Sequence, residues 1–368
     1  MNVDIRPGAK GLPAASSKLA IADCDIHPTT RTLEDLAPFL EKRWRDHLIN
    51  FGHRPRIGLQ NGPAYPKGQP DAARRDAYPT EGGKPGSDLA FMQAQHLNPN
   101  NVQLGILNPI SPYAGAGLNP ELAIAYCRAA NDWQIAAWTS QDVRLKASVV
   151  VPYENGVAAA DEIDRRAGDR NFAQVLLLTR TAEPLGQRRY WPIYEAAVRA
   201  GLPVAIHAFG YGGYPVTSGG WPSYYIEEMV GHAQSAQGVL TSLVMEGVFE
   251  RFPALRIILV EAGFAWLPTL SWRMDNAWCR LREEVPHVRR PPSDYLRQHV
   301  WLTTQPMEEP ETSVDLLDCI EWIGWDRLLF ASDYPHWDFD DPMHAVPVRL
   351  DPRQERRLFL DNAKAVYG

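Results

Sequence analysis

Leu19-Ala20-Ile21-Ala22-Asp23-Cys24-Asp25-Ile26-His27-Pro28 is the stretch on which the reading of this chain turns. It has the character of a short buried strand, apolar at Leu19 and Ile21, that ends in groups able to bind a metal. Residues i and i+2 of a strand share a face. Asp25 and His27 therefore project together, and Asp23 joins them if the strand stays regular. Pro28 has no N–H for a ladder and stops the strand. Two donors fall short of the three or four protein ligands that usually hold a divalent ion. The stretch marks a metal site only if the rest of the chain brings more donors to the same end; alone, it equally describes a strand end with solvated carboxylates.

From Val102 onward the sequence alternates. Apolar runs at 102–107, 145–151, 173–178, 203–209, 256–261, 300–304 and 327–332 predict strands. Between and after them, helical patterns occupy 118–140, 157–167, 191–200, 266–284 and 314–323. A long loop with helices fills 210–252, and a final helix closes at about 367. Most of these runs are continuously apolar, as expected when both faces of a sheet are buried. Strands alternating with helices imply parallel pairing. With the opening strand they make eight units, the pattern of a (β/α)₈ TIM barrel. A doubly wound open sheet is the alternative that periodicity alone does not separate, although no Gly-rich dinucleotide loop follows the first strand.

The 368 residues fit one barrel over 19–368, preceded by a polar, flexible segment over 1–18. Long insertions are expected at about 51–87 and 210–236, on the C-terminal face. A net charge of −7 without a basic face argues against nucleic acid as a partner. The four cysteines, Cys24, Cys127, Cys279 and Cys319, lack CxxC spacing and fit a reducing compartment. No apolar run reaches the ~18 residues of a membrane span and no signal-peptide core opens the chain, so a cytoplasmic location is expected. Trp- and Pro-rich insertions offer apolar surface, and a homodimer is expected.

The C-terminal ends of barrel strands converge on one face, where active sites lie. Reading only those ends yields Asp25 and His27 from strand one, His207 from strand five and Glu261 from strand six. Strand seven adds Thr303, Thr304 and Gln305; strand eight adds Asp333 and then His336. Asp25, His27, His207 and Asp333 make a set of two nitrogens and two oxygens. That set suits one divalent ion, Zn²⁺ first, with Mn²⁺ as the oxygen-favouring alternative. Arg180 and Arg273 are candidates for binding a second substrate carboxylate. Tyr211, Tyr214, Trp221, Tyr224, Tyr225 and Trp337 favour a planar substrate.

The chain resembles the amidohydrolase-related (amidohydrolase 2) branch of the amidohydrolase superfamily. That group includes aminocarboxymuconate-semialdehyde decarboxylase and the resorcylate-type decarboxylases. The resemblance covers nearly the whole chain. It rests on Asp23-Cys24-Asp25-Ile26-His27, 201–207 (GLPVAIH), 247–253 (GVFERFP), 331–336 (ASDYPH) and Asn362-Ala363. It implies a distorted (β/α)₈ barrel with one metal ion, commonly zinc, ligated at Asp25, His27, His207 and Asp333. It also implies a dimer. The chain departs from the family pattern at two points. Relatives often begin with His-x-His or Glu-x-His where this chain has Asp25-Ile26-His27. They often end strand six in a catalytic histidine, where this chain has Glu261.

The function these features predict is non-oxidative decarboxylation of an aromatic or unsaturated carboxylic acid. Asp333 or Glu261 serves as the proton donor, and His336, Arg180, Arg273 and Gln305 contact the substrate. A hydrolase acting through metal-activated water on an amide or lactone uses the same ligands. A metal-bearing binding protein without catalysis is a third class.

Overall fold

The computed structural model describes residues 19–52, 72–110, 119–210 and 215–368. The 1–18 segment, Tyr211, Tyr214 and the middle of the first insertion lie outside the described residues. Eight strands form one sheet in sequence order: β1 (Ile21–Ile26), β2 (Val102–Leu107), β3 (Leu145–Val150), β4 (Phe172–Arg180), β5 (Val204–Gly210), β6 (Ile257–Val260), β7 (Val300–Thr303) and β8 (Leu328–Leu329). All seven ladders between consecutive strands are parallel. Helices follow the strands, among them α1 (Lys42–Phe51), α2 (Pro120–Gln134), α3 (Gly156–Arg166), α4 (Trp191–Ala200), α5 (Tyr225–Met245), α6 (Leu267–Leu281), α7 (Pro292–His299), α8 (Ser313–Ile323) and α9 (Asn362–Tyr367). The expected (β/α)₈ barrel is the observed fold.

Continuous apolarity of the strands has the predicted cause. Val175, Leu177, Ile206 and Leu259 pack outward in the layer under the helices, whereas Ala22, Ala205, Ile258 and Leu329 pack inside the barrel. Each fully buried aliphatic side chain contributes about 1.5–3 kcal/mol relative to exposure. Local signals set the helix starts: Asn119 and Asn155 accept from Leu122 N and Ala158 N at the heads of α2 and α3. Gly201, with φ +72°, ends α4 in the left-handed conformation.

The last strand is the main departure from expectation. Instead of running over 327–332, β8 keeps ladder pairing only at Leu328 and Leu329. Beyond them, side chains capture the backbone: Ala331 N donates to Thr304 Oγ1 and Ser332 N to Asp23 Oδ1. The barrel closes at this seam through Cys24 N to Phe330 O (2.9 Å) and His27 N to Tyr334 O (2.8 Å). After β1 the chain forms a 3₁₀ turn at Leu33–Phe39, which contains Pro38, and then α1.

The described end of the first insertion lies against the loop after β8. Arg74 N donates to Pro335 O, Trp337 N to Ala72 O, and Ala73 bridges His336. Gly86 holds the same insertion onto β1. Its φ is +76°, and a Cβ there would stand 2.3 Å from the His27 carbonyl oxygen. Gly82 has φ +85° but open space around it. Gly86→Ala is therefore expected to destabilise by about 2–4 kcal/mol, and Gly82→Ala by only ~1–2 kcal/mol, the cost of left-handed strain alone. Urea denaturation of the two variants checks this; equal losses would remove the contact with His27 as the cause.

Candidate metal centre

The barrel mouth is built from strand ends whose backbone turns sharply. The register of β1 on β2 shifts between Asp23 and Ile26. Asp23 consequently faces the seam, accepting from Ser332 Oγ (2.5 Å) and pairing with His96 Nε2 (2.7 Å). It does not join the mouth cluster. Glu261 and Asp333 follow β6 and β8 with φ of +54° and +61°. Such backbone costs about 1–3 kcal/mol at a non-glycine residue. Hydroxyls of the β7 end support both turns: Thr303 Oγ1 accepts from Glu261 N (3.1 Å) and Thr304 Oγ1 from Ala331 N (3.2 Å).

Two imidazoles are fixed in one tautomer by the same logic. His27 Nδ1 donates to Asn108 O (2.8 Å), and His207 Nδ1 donates to Ala208 O (2.7 Å). In each neutral ring the Nε2 lone pair is left facing the mouth. His27 Nε2 lies 3.1 Å from Asp25 Oδ1 and 2.8 Å from Asp333 Oδ1. His207 Nε2 lies 3.3 Å from both Asp25 Oδ2 and Glu261 Oε2. Asp25 Oδ2, His27 Nε2, His207 Nε2 and Glu261 Oε2 are buried with no hydrogen-bond partner among the described residues. Acceptors facing acceptors in a dry site need a cation or protons between them.

Electrostatics say the same. Burial, followed by the carboxylates of Asp333, Asp338 and Asp25, pushes Glu261 well above the usual carboxylate range. Burial disfavours charge on His27, but the Asp25 and Asp333 carboxylates outweigh it and raise its imidazole well above its ordinary value. Burial likewise opposes ionisation of Asp25, yet His27 and His207 hold it below its normal range. Asp338 is pushed up to about 8, by burial first and then by Asp333. Without a metal, the cluster thus holds extra protons on Glu261 and His27.

The donor atoms of Asp25, His27, His207 and Glu261 all lie within 4.8 Å of one another, and so do those of His27, Glu261, Asp333 and His336. His27 and Glu261 belong to both groups. The donor set therefore fits a metal ion, and it is richer in oxygen than the sequence indicated, because Glu261 adds a third carboxylate. His336 stacks on His27 with ring centroids 4.3 Å apart, and its Nδ1 is 2.7 Å from Asp333 Oδ1. Gln305 donates from Nε2 to Asp338 Oδ2 (3.1 Å), leaving its buried Oε1 unpartnered.

The two arginines separate. Arg180, at the end of β4, is buried and pairs with Glu228 at 2.7 Å. Arg273 is exposed on α6, where it lines a surface cleft with Gln237, Trp272, Asn276 and Arg280. Arg273 was expected to contact the substrate; the structure places it on α6, facing solvent, in a cleft that none of the mouth residues named above lines among the described residues. Tyr225 accepts from Trp337 Nε1 (3.1 Å), so the head of α5 meets the loop after β8. Asn108 and Asp338 were missed from sequence. Asn108 stands at a strand end before Pro109, and Asp338 opens an acidic run five residues after Asp333; both were visible signals.

Fold and site together define a barrel with a metal-binding donor cluster at the C-terminal mouth. The chain belongs to the amidohydrolase family, whose model matches residues 22–368. It is 28% identical to the gamma-resorcylate decarboxylase of Polaromonas sp. over 302 residues, covering 76% of this chain and 87% of that one. The gamma-resorcylate decarboxylase of Rhodococcus jostii is 27% identical over 280 residues, 70% of this chain and 80% of the relative. Among solved structures, a 5-carboxyvanillate decarboxylase of Novosphingobium aromaticivorans with manganese and 4-hydroxy-3-methoxy-5-nitrobenzoic acid superposes with a TM-score of 0.70. The identity is 19%, with 95% and 96% of the two chains covered. A dihydroxybenzoic acid decarboxylase of Polaromonas sp. with manganese and 2-nitroresorcinol gives 0.65 at 21% identity, over 96% and 97% of the chains. These two likenesses extend the barrel comparison to the whole fold.

A divalent ion taken up at His27 Nε2 must displace the proton there, because the raised value of this imidazole belongs to the metal-free state. Mn²⁺ affinity is expected to fall as pH drops, with protons released to buffer on binding. Calorimetry in buffers of different ionisation enthalpy measures this. Affinity that is flat in pH, with no proton release, would contradict the site as drawn.

Proposed function

We propose that the protein is a metal-dependent decarboxylase that releases CO₂ from an aromatic carboxylic acid, with Asp25, His27, His207 and Asp333 as metal ligands and Glu261 as proton donor. The observation that carries this reading is the setting of Glu261. Its carboxyl is buried beside Asp25, His27 and His207, and its Oε2 has no hydrogen-bond partner among the described residues, which places it to pass a proton to a substrate at the mouth. The names of the relatives, decarboxylases at 27–28% identity, support the same reaction. Mn²⁺ is favoured over the zinc expected from sequence, in line with the manganese in the dihydroxybenzoic acid and 5-carboxyvanillate decarboxylase structures.

When bound, the ion supplies positive charge for the substrate carboxylate and a neighbouring oxygen. Glu261 transfers its proton to the ring carbon that bears the carboxylate. The bond from that carbon to the carboxylate then breaks, its electron pair restores the ring, and CO₂ departs. Glu261 is reprotonated from solvent. Gln305, with Oε1 free, accepts from a substrate hydroxyl, and His336 lies flat on His27 at the edge of the same space.

Arg180 and His232 serve the far pole of the substrate. Arg180 Nε and both His232 ring nitrogens are buried without a hydrogen-bond partner among the described residues. His232 packs on Phe209, the residue two beyond His207, with ring centroids 4.6 Å apart. Burial, then Arg180, pushes its imidazole down to about 3, so the ring is neutral and offers one donor and one acceptor.

The homodimer belongs to the same reading. Tyr224, Ile226 and Val230 at the head of α5 are 67%, 70% and 64% exposed, an apolar strip suited to a second copy of this chain. Light scattering at micromolar concentration is expected to give twice the chain mass; a monomer removes the dimer from the proposal. The free cysteines fit a cytoplasmic setting.

Three outcomes test the proposal. Across a panel of hydroxybenzoic acids that includes 2,6-dihydroxybenzoate and 5-carboxyvanillate, CO₂ release is expected without acid release from amides or lactones; the reverse pattern would establish the hydrolase. Glu261→Gln is expected to keep its Mn²⁺ and lose ~10²–10⁴ in kcat, the range for a general acid. Lost metal in that variant would make Glu261 a ligand, and full activity would leave proton transfer to Asp333. By contrast, His207→Ala is expected to lose both the metal and activity while the barrel stays folded, by circular dichroism.

A further inference from the structure

A line of buried polar side chains crosses the barrel interior from its floor to its mouth. The floor is covered by α9 and the turn before it: Leu360, Ala363 and Val366 pack on Ala22, Ala205, Ile258 and Leu329. Asn362 Nδ2 donates to Trp325 O and Leu328 O at the entry to β8, and Arg256, just before β6, donates to Val366 O and Gly201 O. From this helix Tyr367 points into the barrel, where small residues such as Ala22 and Cys24 leave room. Its hydroxyl donates to Gln174 Oε1 (2.9 Å). Gln174 Nε2 donates to Asn108 Oδ1 (2.9 Å) and Ser148 Oγ (3.0 Å), and Ser148 Oγ donates to Asn108 Oδ1 (2.8 Å). Asn108 Nδ2 donates to Asp25 Oδ1 (2.9 Å) and Cys24 O (3.2 Å).

We propose that Tyr367, Gln174 and Asn108 form a positioning chain that orients the Asp25 carboxylate, so that the helix under the barrel floor governs how tightly the ion at the mouth is held. The inference rests on the reading of Asp25 as a metal ligand. Four features carry it. Every bond in the chain points the same way, hydroxyl to amide to amide to carboxylate, and aligned hydrogen bonds polarise and strengthen one another. The amide orientations are forced, since Asn108 Oδ1 receives two donors and its NH₂ must therefore face Asp25. Asn108 also accepts His27 Nδ1–H on its main-chain oxygen, so one residue at the end of the chain holds two proposed ligands. Asp25, Asn108, Ser148 and Gln174 are all fully buried, which leaves water little part in substituting for a missing member.

Without the Tyr367 hydroxyl, Gln174 Oε1 loses its donor and the amide is held only through Nε2. Turned over, it would set Oε1 against Asn108 Oδ1, and Asn108 would lose its hold on Asp25. Burial keeps the Tyr367 phenol well above its usual range, so it remains a donor at any working pH.

The test uses the full chain and Mn²⁺ alone, without substrate. Mn²⁺ dissociation constants are measured by equilibrium dialysis, with electron paramagnetic resonance of the bound ion, for wild type, Tyr367→Phe, Asn108→Ala and the double variant. Loss of an outer partner of a ligand typically weakens metal binding ~10–100-fold. Asn108→Ala is expected in that range, and Tyr367→Phe, two links further away, at about 3–10-fold with an altered resonance line shape. The double variant is expected to be no weaker than Asn108→Ala, because both act through one chain. Unchanged binding in Tyr367→Phe, or losses that multiply in the double variant, would overturn the proposal. Should Tyr367→Phe fail to fold, Gln174→Met carries the same expectation and the same refutation. A wild type that takes up no Mn²⁺ defeats the metal reading itself, whereas a wild type that binds Mn²⁺ beside an unaffected Tyr367→Phe defeats the positioning chain alone.

Discussion

Three carboxylates and the imidazoles of His27, His207 and His336 converge at the mouth of this barrel, with no lysine or arginine among them in the described residues. Asp25, Glu261 and Asp333 are buried, and His27 and His207, whose Nδ1–H groups donate to backbone carbonyls, turn Nε2 toward them. A buried cluster of this kind is tolerable only if protons or a metal ion neutralise it. That requirement organises the surroundings. Backbone carbonyls fix the imidazoles, Thr303 supports the turn of Glu261, and Arg180 is paired with Glu228 rather than with the cluster. Neutralisation by protons gives an acidic Glu261; neutralisation by an ion gives a Lewis-acid site. The proposed chemistry uses both, with the ion on one part of the cluster and the proton on another.

Much of the architecture was legible because it is written in local periodicity. The β2 boundaries predicted from the sequence coincide with those observed, and β5, β6 and β7 differ by about a residue at their ends. Asp25, His27, His207 and Asp333 were found by asking which donors terminate strands, a question with a physical answer once the barrel is inferred. What escaped depends on contacts between distant segments. β8 looked like a full strand because its residues are apolar, yet Thr304 and Asp23 draw its amides away from a regular ladder. Arg273 was a candidate for a second substrate carboxylate, but its place on α6 turns it to solvent. Gln174 gave no signal at all. It is a polar residue within an apolar strand, and its partners lie 66 and 193 residues away.

Strain and function share the same residues. Phe209, Glu261 and Asp333 have positive φ, and each stands just beyond or at the end of a strand that serves the mouth. A regular strand would send Glu261 and Asp333 on with the pleat; the left-handed turn re-aims both carboxylates. The cost is offset by the barrel beneath, where Ile257–Val260 are buried throughout. Stability in the staves thus permits distortion at the rim, which accounts for a site that breaks local preferences on a scaffold that otherwise follows them.

The seam between β8 and β1 has a consequence for how the chain is held together. Ser332 and Asp23, joined there by two hydrogen bonds, are 309 residues apart. Asp25 and His27 lie on one lip of the seam and Asp333 on the other, with only a few backbone bonds between. An ion gripped from both lips would be a clasp on a ring, a reversible cross-link closing almost the whole length of the chain. Cross-links that close long loops withdraw the most conformational freedom from the unfolded state. In such a molecule the ion is a topological fastener as well as a reagent, and its departure would loosen the barrel first at the place where the chemistry is done.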